Sequence, residues 1–317
     1  MGSPPSRPRF SQFPSSRTRN REPIELRRFA GHVDHEERLS HLRIAHLTDQ
    51  HFGRVTPHEV QQAAIDLTNA QRPDLVVITG DFVCHSQAYL DELEATLGAL
   101  DAPIIGVLGN HDHWSGAGAV RKALKRAGVE VLDNVNTTLT LRNQQLQVVG
   151  LDDAYTGHAD HEAACKGLRT DLPTIGLSHI AEEADDLWLR GVPLVFSGHT
   201  HAGQVTLARM HELFLGKLIG HKYVHGLYGT RGRPTDGGPN GAVYVGAGIG
   251  AAVVPLRLGE RGRRELAVFE LGATAGASWE SHGEQAPLKG RPPSERTKEK
   301  RRRQLERKKR KHPPELD

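Results

Sequence analysis

Five short polar segments, Asp49-Gln50-His51, Gly80-Asp81, Gly109-Asn110-His111-Asp112, Ser178-His179 and Gly198-His199-Thr200-His201, each stand directly after an apolar run. The runs, residues 41–47, 75–79, 104–108, 174–177 and 193–196, have the length and β-branched content of buried strands. The polar residues therefore sit at strand ends. In an open α/β sheet, strand ends are where side chains far apart in sequence converge on one point.

The intervening segments fit that plan. Residues 57–71 predict a helix, with Val60, Ala64 and Leu67 at helical spacing and Pro73 ending it. Residues 87–100 and 118–127 predict two more, the last with a basic outer face. Strand, loop and helix thus repeat three times, which implies parallel pairing under helical crossovers. From Val129 the pattern changes. Residues 137–142 and 145–150 alternate like an antiparallel pair around an Asn143-Gln144 turn, opening a second sheet. Residues 162–168 and 182–190 read as helical, and residues 193–196, 204–208, 241–245 and 265–270 are expected to complete that second sheet. The expected fold is α/β, a four-layer α+β arrangement of two packed mixed sheets flanked by helices, in one domain over residues 41–272. Residues 211–240, rich in Gly, His and basic residues, show no period; a loop of that length in a compact domain is usually functional.

Charge divides the chain unevenly. Residues 289–311 hold 13 Lys/Arg against Glu295, Glu299 and Glu306, and residues 1–28 hold seven Arg against Glu22 and Glu25. Those ends carry +10 and +5 of a total of +3, so the body is near −12, a balance suited to holding divalent cations. With few apolar residues to offset ordering entropy, residues 1–40 and 273–317 are expected to be disordered basic tails. The C-terminal one could make salt-sensitive contacts with anionic lipid or nucleic acid. The first 40 residues contain no apolar stretch of signal-peptide type, and no transmembrane segment is expected. Cytoplasmic placement, or a peripheral position on the inner face of the membrane, follows. Two cysteines, Cys84 and Cys165, make no disulfide framework and read as free thiols of a reducing compartment.

The polar segments contain carboxylate, amide and imidazole but no thiolate. A pair of divalent metals needs a ligand that can bridge them, and Asp81, on a tight turn after Gly80, is the expected bridge. The side chains of Asp49 and His51, two apart in extended geometry, leave the same side of the backbone and could chelate one metal. The same spacing in His199 and His201 lets two imidazoles reach neighbouring metals. Asn110 offers a neutral oxygen and His179 another imidazole. This donor set suits two divalent transition metal ions, Mn first and Fe, Zn, Co or Ni as alternatives, better than Mg or Ca.

In order and wording these segments resemble the calcineurin-like metallophosphoesterase superfamily over residues 42–271. Gly198-His199-Thr200-His201-Ala202-Gly203-Gln204, the Lys222-Tyr223 and Gly226-Leu227-Tyr228 stretches, and Gly248-Ile249-Gly250 with Pro255-Leu256-Arg257 resemble its bacterial branch of membrane-associated phosphodiesterases, related to UDP-2,3-diacylglucosamine hydrolases. The resemblance implies that Asp49, His51, Asp81 and His201 hold one metal and that Asp81, Asn110, His179 and His199 hold the other. It also makes His111 a non-ligand histidine beside the scissile phosphate. A metal-bridging hydroxide would then attack phosphorus while His111 protonates the leaving oxygen. Asp112 is expected to hold an imidazole and raise its basicity. Two departures from the branch stand out. No N-terminal anchor is expected from the first 40 residues, and Ile180-Ala181-Glu182-Glu183 replaces the short Pro-Asp element that usually follows the histidine.

His221, Lys222, His225 and Arg231, with Arg233, are expected to contact substrate phosphate or nucleotide. His158, His161 and His211, together with His221 and His225, offer a weaker third metal site. The glycines of residues 246–251 imitate a dinucleotide fingerprint, but Val253, Val254 and Pro255 stand where a helix must begin, so a tight turn near the site is expected instead. The leading expectation is a dinuclear metal-dependent phosphoesterase cleaving a phosphodiester or pyrophosphate in a small-molecule or lipid-linked substrate. UDP-2,3-diacylglucosamine hydrolysis is the alternative within that class. A non-catalytic adaptor that binds polyanions through its tails is the alternative outside it.

Overall fold

The apolar runs pair into two sheets whose strand ends face a common edge. In the computed structural model, residues 24–203, 221–233, 240–251 and 263–288 are described. The first sheet contains β1 (Glu25–Ala30), β2 (Leu42–Leu47), β3 (Leu75–Thr79), β4 (Ile104–Val107), β5 (Val129–Val131) and β12 (Glu265–Leu271), in the order β1-β12-β2-β3-β4-β5. The second contains β6 (Val135–Leu141), β7 (Gln144–Leu151), β8 (Thr174–Ser178), β9 (Leu194–Ser197), β10 (Gly226–Gly229) and β11 (Ala242–Val245), in the order β10-β11-β9-β8-β7-β6. Both are mixed: β2 to β5 run parallel, as do β7, β8, β9 and β11, with antiparallel pairs at β12·β2, β6·β7 and β10·β11.

Helices α2 (His58–Ala70), α3 (Leu90–Leu97) and α4 (Asn110–Arg126) cover the outer face of the first sheet through a cluster containing Ile65, Leu93, Val120 and Ile78. The short α5 (His161–Ala164) and α6 (Ala184–Leu189) cover the second, around Leu187, Val195 and Val243. Between the sheets, Ile44, Val77 and Phe269 meet Ile175, Phe196 and Tyr244. This is the expected four-layer arrangement, and α1 (Val33–Arg38) sits beside it.

Several boundaries differ from the sequence reading. Residues 265–270 were expected in the second sheet, but β12 lies in the first, antiparallel to β2 with Phe269 opposite Ile44. A strand buried on both faces carries no label of which sheet it joins. The β6–β7 turn is Arg142-Asn143, one residue earlier than expected, with φ of 46° and 62°. Helix α4 starts at Asn110 rather than at residue 118, because Gly109 caps it and Asp112 accepts the Gly109 amide at 2.9 Å. Gly116, at φ 104°, kinks it where the sequence placed the start. The expected strand at residues 204–208 lies outside the described residues.

The limits of the expected domain also shift. Residues 24–40 are not a tail: β1 pairs parallel with β12 along its whole length. Nor are residues 273–288, where Glu280 and Glu284 accept ion pairs from the buried Arg231, Ser281 donates its amide to Arg28 and Leu288 donates its amide to Lys222. The first is held by backbone pairing and by Phe29 and Leu39 in the core, the second by backbone pairing and charge, to which a hydrophobic reading is blind. The expected disorder of residues 1–23 and 289–317 lies outside the described residues.

Charge buried under β1 illustrates how such a segment is held. Glu265 accepts from Arg27 Nε at 2.7 Å, His225 Nε2 at 2.9 Å, the Tyr244 hydroxyl at 2.8 Å and the Ala247 amide at 2.9 Å. Burial opposes ionisation, yet His225 and Arg27 hold this carboxyl well below the usual carboxylate range. Glu265→Gln removes the carboxylate shared by Arg27 and His225, leaving Arg27 only Glu25 at 3.4 Å, and is expected to cost about 3 kcal/mol of unfolding free energy at pH 7, measured by urea denaturation. A depressed folded pKa contributes stability above the unfolded value of about 4.3 and loses it as pH falls through the folded value. The gap between wild type and variant should therefore be full at neutral pH and narrow below about pH 4. A gap unchanged in acid would remove charge as its source.

Candidate metal centre

The site is built at the ends of β2, β3, β4, β8 and β9, where the chain leaves each strand in a sharp loop. Of the ten non-glycine residues with positive φ among the described residues, five are Asp49, His51, Asp81, His199 and His201. Left-handed backbone is uncommon for such residues and clusters at functional sites. Asp49 (φ 50°) and His51 (φ 47°) are thus not extended, as the sequence reading assumed. Their side chains meet through a tight loop, not through the alternation of a strand. Room for them comes from glycine: a Cβ at Gly109 would overlap the Asp81 carboxylate, and one at Gly198 the Asp49 carboxylate.

Two groups of donor atoms share Asp81. In the first, His51 Nε2 lies 2.9 Å from His201 Nε2, His201 Nε2 is 3.3 Å from Asp49 Oδ1, and His51 Nε2 is 3.6 Å from Asp81 Oδ2. In the second, His179 Nε2 lies 3.4 Å from the same Asp81 Oδ2, 3.2 Å from His199 Nδ1 and 3.1 Å from Asn110 Oδ1. Donors around a transition metal bound at about 2.1 Å stand about 3.0–3.4 Å apart, for octahedral and tetrahedral edges respectively. The observed spacings fit both groups as coordination shells. The donor set, nitrogen and oxygen without sulfur, fits such ions too.

Neighbouring groups fix the donors. His179 Nδ1–H donates to the Thr79 carbonyl at 2.8 Å, which leaves its Nε2 lone pair facing Asp81. The Thr48 hydroxyl donates to Asp49 Oδ2 at 2.8 Å, and the His199 amide also reaches Asp49. The His111 amide donates to Asp81 Oδ1 at 2.9 Å, while His111 Nδ1–H donates to the Cys84 carbonyl at 2.6 Å. His111 Nε2 is thereby turned toward Asp81 Oδ2, 3.9 Å away.

The electrostatics call for positive charge. Burial alone would lower the His179 pKa, but Asp81, Asp49 and Asp153 push it up to about 10. Asp81 is held well below the carboxylate range by His179, His51 and His111 although burial opposes this. Asp49 is pushed up to about 6 by burial, with Asp81 adding to it, and His199 down to about 3 by burial, with the cationic His179 adding to it.

The fold therefore brings Asp49, His51, Asp81, Asn110, His111, His179, His199 and His201 together. Other expectations are corrected. Asp112 holds no imidazole: its oxygens accept the Val83 and Gly109 amides at 3.0 and 2.9 Å, tying two ligand-bearing loops together. Arg231 is buried in ion pairs with Glu280 and Glu284, and His225 is buried in a hydrogen bond to Glu265, so both are committed to partners away from the donor groups. Lys222 reaches Asp185 at 2.6 Å and Arg233 pairs with Glu37. His221 alone of that set borders the site, its ring 5.7 Å from His199. The weaker third metal site is not assembled either: His158 stacks on His113 and His161 pairs with Glu183, while His211 lies outside the described residues. The glycine turn packs as expected, Gly250 donating its amide to the Asp49 carbonyl at 2.7 Å. Thr48, Asp153, Trp114 and Tyr155 were missed. Trp114, three residues after His111, was the one with a legible position.

Comparison with known proteins finds relatives of the whole domain. A calcineurin-like phosphoesterase model matches residues 42–203. The uncharacterized metallophosphoesterase YkuE of Bacillus subtilis is 32% identical over 242 residues, 73% of this chain and 79% of that protein. Phosphodiesterase YaeI of Escherichia coli is 30% identical over 239 residues, 72% of this chain and 82% of that protein. A solved dimetal phosphatase from Danio rerio aligns over 73% of this chain and 99% of its own at 13% identity, with a TM-score of 0.41. No helix among the described residues is long and apolar enough to cross a membrane. By its matched domain and its relatives, the chain belongs to the calcineurin-like phosphoesterase family of phosphoester hydrolases, whose fold implies a dinuclear divalent metal centre.

Proposed function

We propose that this chain hydrolyses phosphodiesters at two divalent cations, with Asp49, His51, Asp81 and His201 holding one and Asp81, Asn110, His179 and His199 the other. The observation that carries the reading is Asp81 Oδ2, 3.6 Å from His51 and 3.4 Å from His179, one oxygen between two donor groups. When bound, the cations supply Lewis-acid neutralisation of phosphoryl charge and acidify water. The remaining work falls to the chain. Asp81 sets the spacing of the two groups, His179 presents a fixed Nε2 lone pair, and the buried carboxylates exclude anions until cations offset them. His111 holds its Nδ1 proton on Cys84, so the proton that moves is on Nε2, the nitrogen facing the centre. A diester is favoured by the relative YaeI, whose name is phosphodiesterase, and Mn by a donor set of nitrogen and oxygen.

Chelator-treated protein is expected to lose at least about 100-fold of its turnover of bis(4-nitrophenyl) phosphate and to regain it with Mn at two ions per chain. Turnover indifferent to the chelator would refute the reading. A panel containing a monoester and UDP-2,3-diacylglucosamine separates the diester from the two competing substrates. Binding of polyanions by metal-loaded protein that cleaves none of them would favour the adaptor.

A further inference from the structure

Six rings form a continuous run beside the metal centre. Their centroids pass from His85 to His111 at 4.5 Å, to Trp114 at 5.0 Å, to Tyr155 at 6.0 Å, to His199 at 5.4 Å and to His221 at 5.7 Å. His111 and His199 are accounted for by the site they edge. Trp114 and Tyr155 are not, and they are 55% and 52% exposed although large aromatic bodies are ordinarily buried.

The five large apolar side chains exposed among the described residues are Trp114, Val135, Tyr155, Leu189 and Trp279. Of these, Trp114 and Tyr155 touch rings of the site. They meet at an interplanar angle of 77°, so together they make a corner with one face and one edge open to a ligand. A planar ring laid on the face of one receives the edge of the other, the two arrangements aromatic quadrupoles prefer. An acyl chain gains instead from a long apolar trough, since its binding scales with area removed from water. Two rings do not make a trough.

The corner is also held in place. Trp114 rides on α4 three residues after His111, and Tyr155 lies in the loop after β7. His113 Nε2 donates to Asp152 at 2.8 Å, joining that loop to α4, and His113 and His158 stack at 4.0 Å behind it. A preformed corner costs a ligand little ordering entropy. We infer that Trp114 and Tyr155 form a subsite for a planar aromatic group, a nucleobase or an aryl ring, carried on the phosphate that the centre acts upon. This rests on the phosphoesterase reading for the position of the phosphate.

The test compares binding of thymidine monophosphate, methyl phosphate and decyl phosphate to Mn-loaded wild type, Trp114→Ala and Trp114→Phe by calorimetry. Thymidine monophosphate is expected to bind about tenfold tighter than methyl phosphate, as one base–aromatic stack allows. Trp114→Ala should erase that gain and Trp114→Phe retain most of it, with methyl phosphate unaffected by either. Equal binding of thymidine and methyl phosphates to wild type would overturn the subsite. So would an equal weakening of both in Trp114→Ala, which would make the indole a support for His111. A decyl phosphate gain that Trp114→Ala removes would assign the corner to lipid and overturn it as well. Turnover is measured beside binding on thymidine 4-nitrophenyl phosphate. No hydrolysis with the binding gain intact would sink the phosphoesterase reading and leave the subsite standing.

Discussion

Asp81→Asn is expected to lower phosphodiester turnover by about 10³-fold or more, the loss of several kcal/mol of transition-state stabilisation, and to leave the protein with one bound metal or none. The argument is stereochemical as well as electrostatic. Asp81 Oδ1 accepts the His111 amide at 2.9 Å, and Oδ2 stands between His51 and His179. An asparagine must place its NH₂ at one of these points. At the first it opposes a backbone donor, and at the second it points a donor where a shared cation needs a lone pair. Metal content by mass spectrometry and turnover with excess Mn are the measurements. Two ions per chain with turnover within tenfold of wild type would remove Asp81 from its proposed role. Thermal melting of the metal-free proteins shows whether the variant still folds.

His111→Ala is expected to separate chemistry from metal binding. Its ring is fixed through Nδ1 to the Cys84 carbonyl, and only Nε2 faces the centre. Loss of a general acid costs about 10²–10⁴-fold, and the cost should depend on the leaving group. An alkoxide needs the proton and should show the full loss. A nitrophenolate leaves nearly unaided and should show much less. Metal content should stay at two ions per chain, because the imidazole is not among the proposed ligands. Equal losses on alkyl and nitrophenyl esters would argue against proton donation, and loss of metal would move His111 into the ligand set.

The two variants rest on residues that the sequence already marked, whereas the corrections fall on residues whose role depends on a distant partner. Arg231 looked like a phosphate ligand because it sits in a basic, glycine-rich stretch. Its partners, Glu280 and Glu284, lie some fifty positions later, in a segment without apolar pattern. His225 was misread for the same reason, since Glu265 is 40 residues away. Asp112 was placed correctly but given the wrong partner, because helix α4 begins at Asn110 and turns that carboxylate onto backbone amides rather than an imidazole. β1 was lost among arginines, of which Arg27 finds Glu265 on β12 as well as Glu25 beside it.

Local periodicity and strand-end chemistry were sufficient to anticipate two helix-flanked sheets and to mark Asp49, His51, Asp81, Asn110, His179, His199 and His201 as the polar residues at their edge, while the place of His111 came from the family resemblance. Those signals are local: burial of an apolar run fixes its pairing surface, and the polar residue that follows has to emerge at its end. Long-range pairing decided which sheet β12 joins, how residues 24–30 and 273–288 are held, and which oxygen of Asp81 stands between the two donor groups. The Trp114–Tyr155 corner is of the same kind. Its two rings are 41 positions apart in the chain and 6.0 Å apart in space, a closeness created by the packing of the β7 loop on α4 and by nothing in the order of the residues.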